Sequence, residues 1–397
     1  MVLLSNKYTI KGGVMYSEHE LVCIAKRDNN SKRSYLVVNR LQGKHIPVEA
    51  SKAFLMFNEL ALQLKRTYKD EKLLVIGFAE TATAIGSAIS EVLDCFYIHT
   101  TREELPGVDF LYFSEDHSHA AQQKLAAGEI DRLEGCIDRV IFVEDEITTG
   151  NTILNIIKLL KKHYPWIRRY SAASILNGMN CKDLLTYESN KIQLHYLVKT
   201  DNSHYHTEAE RCDAGGRYFI CTDFNDVSDD NLNNDLNKVF KDYNFNEYKF
   251  NILPVNPRKL VHSRDYTAAV NLLWENIKKD IELSRFNTVL VLGTEEFMYP
   301  ALFTAKKLEE SGISTRCHST TRSPINVSGN ADYPFHTRYE LKSFYDSNRI
   351  TYIYNIDKYD CVLIITDSSG NLQQGVKSLV QALAVNGITT IYMVRWC

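Results

Sequence analysis

Short apolar runs alternate with helical segments along most of this 397-residue chain, and no other feature constrains the fold as strongly. A glycine or a polar residue ends each run, and apolar residues at helical spacing follow most of them. Such alternation predicts parallel sheets with helices on both faces. The predicted strands cover 73–76, 95–98, 140–143, 171–176, 289–292, 361–365 and 389–394, and the predicted helices cover 51–69, 83–93, 153–162, 266–281, 300–310 and 373–385.

The two halves of the chain repeat one order of features. A strand ending at Gly77, then Arg102, then a strand ending in a carboxylate is matched by Gly293, Arg322 and Asp367 at similar spacing. Generic α/β architecture is the alternative, because any such domain places glycine between strand and helix. Length favours two domains. We expect a first domain over 1–200, a connecting region over 201–250 and a second, related α/β domain over 251–397.

Composition excludes several classes of protein. The chain has 46 Lys and Arg against 49 Asp and Glu, which argues against nucleic-acid binding by bulk attraction. No run of 18 apolar residues and no secretory signal is visible, so we expect no membrane span. The nine cysteines lie singly, which predicts reduced thiols in the cytoplasm, and we expect no protein-held metal cluster.

The segment 140–152 carries the clearest chemistry. A buried strand leads into two carboxylates, Glu144 and Asp145, which can accept hydrogen bonds from ribose hydroxyls. A turn and a helix N-terminus follow, and their backbone N–H groups form an anion site. An ordinary strand–helix turn with a capping threonine is the alternative, but adjacent carboxylates repel each other without a ligand or cation. The predicted phosphate-binding residues are Thr148, Thr149, Gly150, Asn151 and Thr152.

Residues 140–152 resemble the phosphoribosyl-diphosphate (PRPP) motif of type I phosphoribosyltransferases. The segments 77–86, 99–103 and 115–119 resemble a subfamily from bacterial tellurite-resistance and stress gene clusters. There an orotate-phosphoribosyltransferase-like domain precedes a domain named for a Thr-Arg-Ser-Pro motif, which stands here at 321–324. The resemblance implies a Rossmann-like parallel-sheet phosphoribosyltransferase domain followed by a degenerate relative of it.

The resemblance also implies roles for individual residues. The loop 77–83 corresponds to a pyrophosphate loop, with Glu80, Thr81, Ala82 and Thr83 as ligand-binding residues. Arg102 would lie near pyrophosphate, and 103–125 corresponds to a mobile loop in which His117 and His119 could contact the leaving group. A solvated loop is the alternative for both histidines. The segment 43–47 would form a hood over the base, with Lys44 as a candidate phosphate ligand.

The second half departs from the motif. Thr366 replaces the first carboxylate, and 368–371 replaces the Thr-Thr-Gly turn. We expect either a decayed transferase domain or a site for another ligand. The candidate residues of that site are Gly293, Glu295, Thr321, Arg322 and Asp367, and a plain surface charge is the alternative for Arg322.

The function implied is transfer of ribose 5-phosphate between PRPP and a nitrogenous base, with pyrophosphate as the leaving group. Mg²⁺ would be the cofactor, held mainly through substrate oxygens. The partners would be PRPP, a base or nucleotide, a second copy in a homodimer, and enzymes of the same gene cluster. An inactive PRPP or nucleotide sensor and a scaffold protein are the alternatives; a sensor usually needs an output module, and no helix-turn-helix is apparent.

Overall fold

The computed structural model describes residues 16–28, 33–113, 123–222, 243–369 and 372–397. Within these ranges two parallel sheets are flanked by helices, so the predicted α/β class is confirmed. The helices are α1 (Glu18–Leu21), α2 (Ala50–Thr67), α3 (Thr83–Leu93), α4 (Asn151–His163), α5 (Cys181–Ser189), α6 (Tyr205–Ala209), α7 (Ser263–Asp280), α8 (Tyr299–Glu310) and α9 (Gln373–Val385), with short 3-10 helices at Ile130–Leu133 and Asn202–His204.

The strands group into two large sheets and three small ones. They are β1 (Val22–Lys26), β2 (Tyr35–Asn39), β3 (Leu73–Gly77), β4 (Phe96–His99), β5 (Phe110–Phe113), β6 (Gln123–Ala126), β7 (Arg139–Ile147), β8 (Tyr170–Asn177), β9 (Gln193–Lys199), β10 (Arg217–Ile220), β11 (Asn244–Phe250), β12 (Val261–His262), β13 (Thr288–Gly293), β14 (Ser314–Ser319), β15 (Thr337–Lys342), β16 (Ile350–Tyr354), β17 (Cys361–Thr366) and β18 (Thr390–Trp396).

The first large sheet has the order β12-β4-β3-β7-β8-β9. All its neighbours are parallel except β12, which runs antiparallel to β4 at the edge. Alternation along β3 sends Val75 toward α2 and α3 on one face and Leu74 and Ile76 toward α4 on the other. Burial on both faces explains why these strands are continuous apolar runs.

The second large sheet is wholly parallel, in the order β11-β18-β17-β13-β14. Helices α7 and α8 cover one face, and α9 covers the other. The inner helices of both halves share one hydrophobic cluster, in which Phe54 of α2 meets Tyr299 of α8 edge to face. The two sheets therefore pack through a common four-helix layer.

Each half lends a short segment to the other half's sheet. Val261 and His262, just before α7, pair with β4 of the first sheet. Val48, just before α2, forms an antiparallel bridge with Cys317 of β14 in the second sheet. Because the equivalent segments make equivalent contacts, the two halves are related as the subunits of a two-fold dimer would be.

The small sheets lie around this framework. β1 and β2 form an antiparallel hairpin, β5 pairs with β6, and β10 joins β15 and β16. The β1–β2 hairpin packs Cys23, Ala25 and Val38 against Ile325 and Phe335 of the second half. The first half's hairpin is thus held by the second half.

Three details sharpen the predicted organisation. Strand β7 continues to Ile147, four residues beyond the predicted end. Strands β10 and β11 arise inside the region expected to be a connection, and they pair with strands of the second half. The boundaries at 200 and 250 remain a prediction. Among the described residues, no helix has both the length and the apolar character needed to cross a bilayer.

Candidate functional site

Three successive carboxylates lie near the C-terminal end of β7, a central strand of the first sheet. Glu144, Asp145 and Glu146 all belong to β7, so their side chains alternate between its two faces. Asp145 meets Thr81 on one face, and Glu146 meets Arg33 on the other. The expected repulsion between neighbouring carboxylates is therefore reduced by the strand itself, because Glu144 and Asp145 do not share a face.

Asp145 is linked directly to the neighbouring loop 77–83. Thr81 Oγ1 donates to Asp145 Oδ1 at 2.8 Å. Burial raises the pKa of the Asp145 carboxyl to about 6, although the Thr81 hydroxyl lowers it in part. A carboxylate that titrates this close to neutrality would ionise more readily beside hydroxyl donors or a cation.

The turn after β7 has a conformation that only glycine takes easily. Gly150 has φ of +73° and precedes α4. A Cβ atom there would lie 2.3 Å from Tyr187 Oη, which donates to the Gly150 carbonyl at 3.0 Å. Thr149 Oγ1 accepts from the Asn151 N–H at 3.3 Å, while Thr152 lies half-buried in the first turn of α4. The threonine turn is thus fixed at the N-terminus of a 13-residue helix.

A cavity of about 450 Å³ opens beside this turn. Its wall opposite Thr148 and Thr149 is the segment before β2, where Arg33 binds Glu146 through two hydrogen bonds of 2.9 and 3.0 Å. The Arg33 guanidinium also lies 4.6 Å from the centre of the Tyr35 ring. The lining residues are Arg33, Ser34, Tyr35, Thr148, Thr149, Gly178, Asn180, Asp183, Asn202 and His206.

The loop 77–83 faces two ways. Thr81 turns toward Asp145, whereas Glu80 turns toward the second half and pairs with Lys44 of its own half at 2.6 Å and with Arg322 of the second half at 3.2 Å. Burial disfavours the charged form of Glu80, but Lys44 and Arg322 outweigh it and lower the pKa. The Ala79–Glu80 peptide is cis.

The other residues predicted for this loop are bound at its base. The Ala82 N–H donates to the Phe78 carbonyl at 2.9 Å, and Thr83 Oγ1 donates to the Glu296 carbonyl at 3.0 Å. The Arg102 N–H donates to Glu296 Oε1 at 2.9 Å, and the Arg102 charge contributes to the lowered pKa of Glu80. Arg102 thus lies beside the loop, and its contact with pyrophosphate remains a prediction.

Lys44 is fully buried between the halves. Besides Glu80, its Nζ donates to the carbonyl oxygens of Glu295 and Thr320, at 2.5 and 2.9 Å. Burial lowers the Lys44 pKa, against the attraction of Glu80. These two carbonyl oxygens and Ser319 Oγ occupy all three ammonium donors, and Glu80 adds an ion pair, so Lys44 joins the two halves instead of reaching the cavity.

The residues predicted for the second half lie together in a network of charges. Arg322 pairs with Glu295 at 2.9 Å, and Asp367 pairs with Arg258. Gly293 ends β13 beside Ser319, and Thr321 forms a bridge with Tyr352 on β16. Glu295, Arg322 and Asp367 therefore belong to one network of charges, and the proposed ligand site remains a prediction.

Some predictions fall on residues that are not described. His117, His119 and the rest of 114–122 lie outside the described ranges, as do Gly370 and Asn371. Within those ranges, no three or more His, Cys, Asp or Glu side chains form a group that could hold a metal ion.

Sequence reasoning missed the residues opposite the threonine turn. Arg33 and Glu146 are 113 positions apart, and Ser34 Oγ lies 2.6 Å from His206 Nδ1, 172 positions away. The only local signal was a basic residue just before the strand at Tyr35. Nothing in the pattern paired it with the motif 140–152.

Comparison with known protein families identifies both halves. Residues 21–203 match the family described as phosphoribosyl transferase. The first half of the chain therefore carries a phosphoribosyltransferase domain. Residues 259–383 match the TRSP domain found C-terminal to that family's domain, so the chain combines the two in the order that the resemblance predicted. No curated protein matches the sequence.

Several solved structures resemble part of the chain. Adenine phosphoribosyltransferase from Trypanosoma brucei, in complex with AMP, pyrophosphate and ribose-5-phosphate, is 15% identical, with a TM-score of 0.31 over 45% of this chain and 76% of that one. The Rhodothermus marinus enzyme is 14% identical, with a TM-score of 0.33 over 46% and 96%. A Staphylococcus aureus hypoxanthine phosphoribosyltransferase is 14% identical, with a TM-score of 0.25 over 41% and 79%.

Proposed function

We propose that the first half uses PRPP to transfer ribose 5-phosphate to or from a nitrogenous base, with pyrophosphate as the other product or substrate. One observation carries this proposal: the hydrogen bond of 2.8 Å between Thr81 and Asp145 joins the loop 77–83 to the carboxylate strand. The two segments that should bind the two ends of PRPP are therefore held in one place.

The threonine turn would bind the 5-phosphate. The N-terminus of α4 offers backbone N–H groups and the positive end of the helix dipole, and Thr148, Thr149 and Thr152 supply hydroxyl donors. Asn151 is the first residue of that helix, so its N–H faces the same side. A phosphate here needs no surplus of basic residues, which agrees with the near-neutral charge of the chain.

Asp145 would hold the ribose. It would accept hydrogen bonds from the ribose hydroxyls and stabilise positive charge that develops on the ring as the bond to pyrophosphate breaks, whereas Glu144 lies on the other face of β7. Catalysis then consists mainly of positioning and charge stabilisation. The loop 77–83 would receive the leaving pyrophosphate through its backbone N–H groups, with Arg102 beside it.

The donor set suits Mg²⁺. Asp145 presents carboxylate oxygens, which Mg²⁺ prefers, and the described residues contain no group of three or more such ligands, so substrate oxygens would complete its coordination. When bound, Mg²⁺ would neutralise charge on the pyrophosphate. The base would enter the cavity on the side of the Arg33–Tyr35 wall, away from the phosphate at the threonine turn, and the ion pair between Arg33 and Glu146 fixes that wall.

A screen for pyrophosphate release tests the proposal. The chain, PRPP and Mg²⁺ are incubated with a panel of purines, pyrimidines and cell extract, and products are identified by mass spectrometry. Release with at least one acceptor is the expected result. PRPP binding without release under any condition would favour the sensor alternative, and absence of PRPP binding would contradict both.

A further inference from the structure

The contacts between the two halves are reciprocal at the loops that follow β3 and β13. Glu80 of the first half binds Arg322 of the second at 3.2 Å. Glu296, the equivalent of Glu80, binds the Thr101 hydroxyl at 2.6 Å and the Arg102 N–H at 2.9 Å. Together with the exchanged segments before α2 and α7, these pairs define an isologous interface within one chain.

The first half's loop is held by a network of buried charges from the second half. Arg322 contacts four carboxylates, those of Glu80, Glu103, Glu295 and Glu296. It is 11% exposed, and the charges of Glu296, Glu295 and Glu80 raise its pKa although burial opposes this. Arg349 adds contacts to Glu103 at 2.6 Å and Glu295 at 2.9 Å. A guanidinium suits this position because its fixed fork can serve several carboxylates at once.

The corresponding loop of the second half is bound by side chains of its own half. Ser343 Oγ donates to Glu295 Oε1 at 2.5 Å, and Tyr345 Oη lies 2.7 Å from both Thr294 Oγ1 and Asp367 Oδ1. Arg258 binds Asp367 as well. In the first half the equivalent Asp145 has Thr81 as its donor and lies beside the open threonine turn. Asp367 also lines a cavity, of about 660 Å³, so the two equivalent sites differ in the partners of their carboxylates: an arginine and a tyrosine bind Asp367, whereas a threonine hydroxyl binds Asp145.

The Thr-Arg-Ser-Pro motif touches the site's other wall too. The Pro324 carbonyl accepts from the Asp28 N–H at 3.0 Å, and Ile325 bridges Arg27. Asp28 lies five positions before Arg33, which lines the cavity. A single stretch of the second half therefore contacts the loop 77–83 through Arg322 and the hairpin through Pro324.

The geometry points to the second half as an internal partner that holds the first half's site, with Arg322 as a positioning residue that sets the loop 77–83 through Glu80. This inference rests on the proposed function, because it takes that loop to bind the pyrophosphate end of PRPP. Arg322 faces carboxylates, not the cavity, so it acts through Glu80 and does not touch substrate.

Two ligands separate positioning from general stability. PRPP has a pyrophosphate group and ribose 5-phosphate lacks it, so only the affinity for PRPP should depend on the loop 77–83. Binding of each, with Mg²⁺, is measured by calorimetry for the full chain and for the Arg322→Gln, Arg322→Lys and Glu80→Gln variants. Arg395→Gln is the matched control, because Arg395 is also buried in the second half and its described side-chain partners are Glu247 and Ser368.

We expect Arg322→Gln to weaken PRPP binding about tenfold and to leave ribose 5-phosphate binding unchanged. Arg322→Lys should fall between, since one ammonium cannot serve four carboxylates. In the Glu80→Gln background, Arg322→Gln should add little further loss, because the two residues act in one chain of contacts. Arg395→Gln should affect both ligands alike or neither.

Several results would overturn the inference. Equal loss of both ligands in the Arg322 variants would reduce Arg322 to a structural residue, and unchanged PRPP binding would remove its role altogether. If Arg322→Gln does not fold, Arg322→Lys and Glu80→Gln decide the matter by the same two-ligand comparison. Failure of the unsubstituted chain to bind PRPP would instead refute the proposed function and this inference with it.

Discussion

The hydrogen bond from Thr81 to Asp145 should set the pH at which the chain begins to bind PRPP. Replacing Thr81 by valine keeps the shape of the side chain and removes the donor at 2.8 Å from Asp145 Oδ1. A hydrogen bond to a charged group contributes about 1.5–3 kcal/mol, and the lower figure applies because Asp145 is only partly buried. Since about 1.4 kcal/mol corresponds to one pKa unit, the Asp145 pKa should rise from about 6 by roughly one.

The direction of the pH effect follows from that rise. Only the ionised carboxylate accepts hydrogen bonds from both ribose hydroxyls, so PRPP binding weakens as pH falls through the pKa of the free protein. At pH 6 about half of the unsubstituted chain is ionised against roughly a tenth of the Thr81→Val variant, so affinity should differ about fivefold. At pH 8 both are largely ionised and the affinities should converge.

Calorimetric titration with PRPP and Mg²⁺ between pH 5 and pH 9 measures this shift. The phosphate groups of PRPP titrate identically in every experiment, so the difference between proteins isolates Asp145. Thr81→Ser is the matched control, because serine keeps the hydroxyl donor and should follow the unsubstituted profile. The reasoning would be refuted if the PRPP affinity of the Thr81→Val variant fell at the same acidic pH as that of the unsubstituted chain, or if it were lower by the same factor at every pH.

Three further predictions concern the turn, the cavity wall and the buried interface. Gly150→Ala should lower PRPP affinity at least about tenfold by calorimetry while the chain stays folded by circular dichroism, because the new Cβ meets Tyr187 Oη and the positive φ is strained. Arg33→Ala should raise the KM of the base and leave PRPP binding unchanged, since Arg33 closes the wall through Glu146; an equal loss for both substrates would contradict this. Burial, and next the charge of Arg258, lower the His99 pKa to about 4. Because the unfolded chain binds a proton at this histidine near pH 6.5, the folded state is fully stable above that pH and loses stability as the pH falls toward 4. Urea titrations should show that this effect lowers the free energy of unfolding by about 2 kcal/mol at pH 5. The His99→Asn variant should not show this part of the decrease.

Local elements could be predicted well from the sequence. The helix Thr83–Leu93 matches its predicted bounds, because apolar residues at helical spacing fill one side of it and the chain reverses at Asp94 in a left-handed conformation. The predicted bounds of β7 are too short, because the apolar run ends at Val143 whereas the strand continues to Ile147. Parallel pairing with β8 continues to Ile147, with Glu146 opposite Leu176 and Ile147 opposite Asn177.

Contacts between distant segments could not be predicted from local pattern. The two-residue strand Val261–His262 has no periodicity that distinguishes it, and its partner lies in the other half of the chain. Glu80 and Arg322 likewise form an ion pair, although the sequence pattern predicts only that each lies in a loop. The repeat did indicate that these loops are equivalent, but only the packed helices bring them face to face.

PRPP binding by the Asp145→Asn variant tests the central claim most directly. Asparagine preserves the size of the side chain and can still accept from Thr81, so the fold should persist while the ribose loses its charged acceptor. With Mg²⁺ at pH 8, we expect the unsubstituted chain to bind PRPP and the variant to lose affinity about a hundredfold. Equal PRPP affinity in the two proteins would contradict the assignment of β7 and its following turn as the PRPP site.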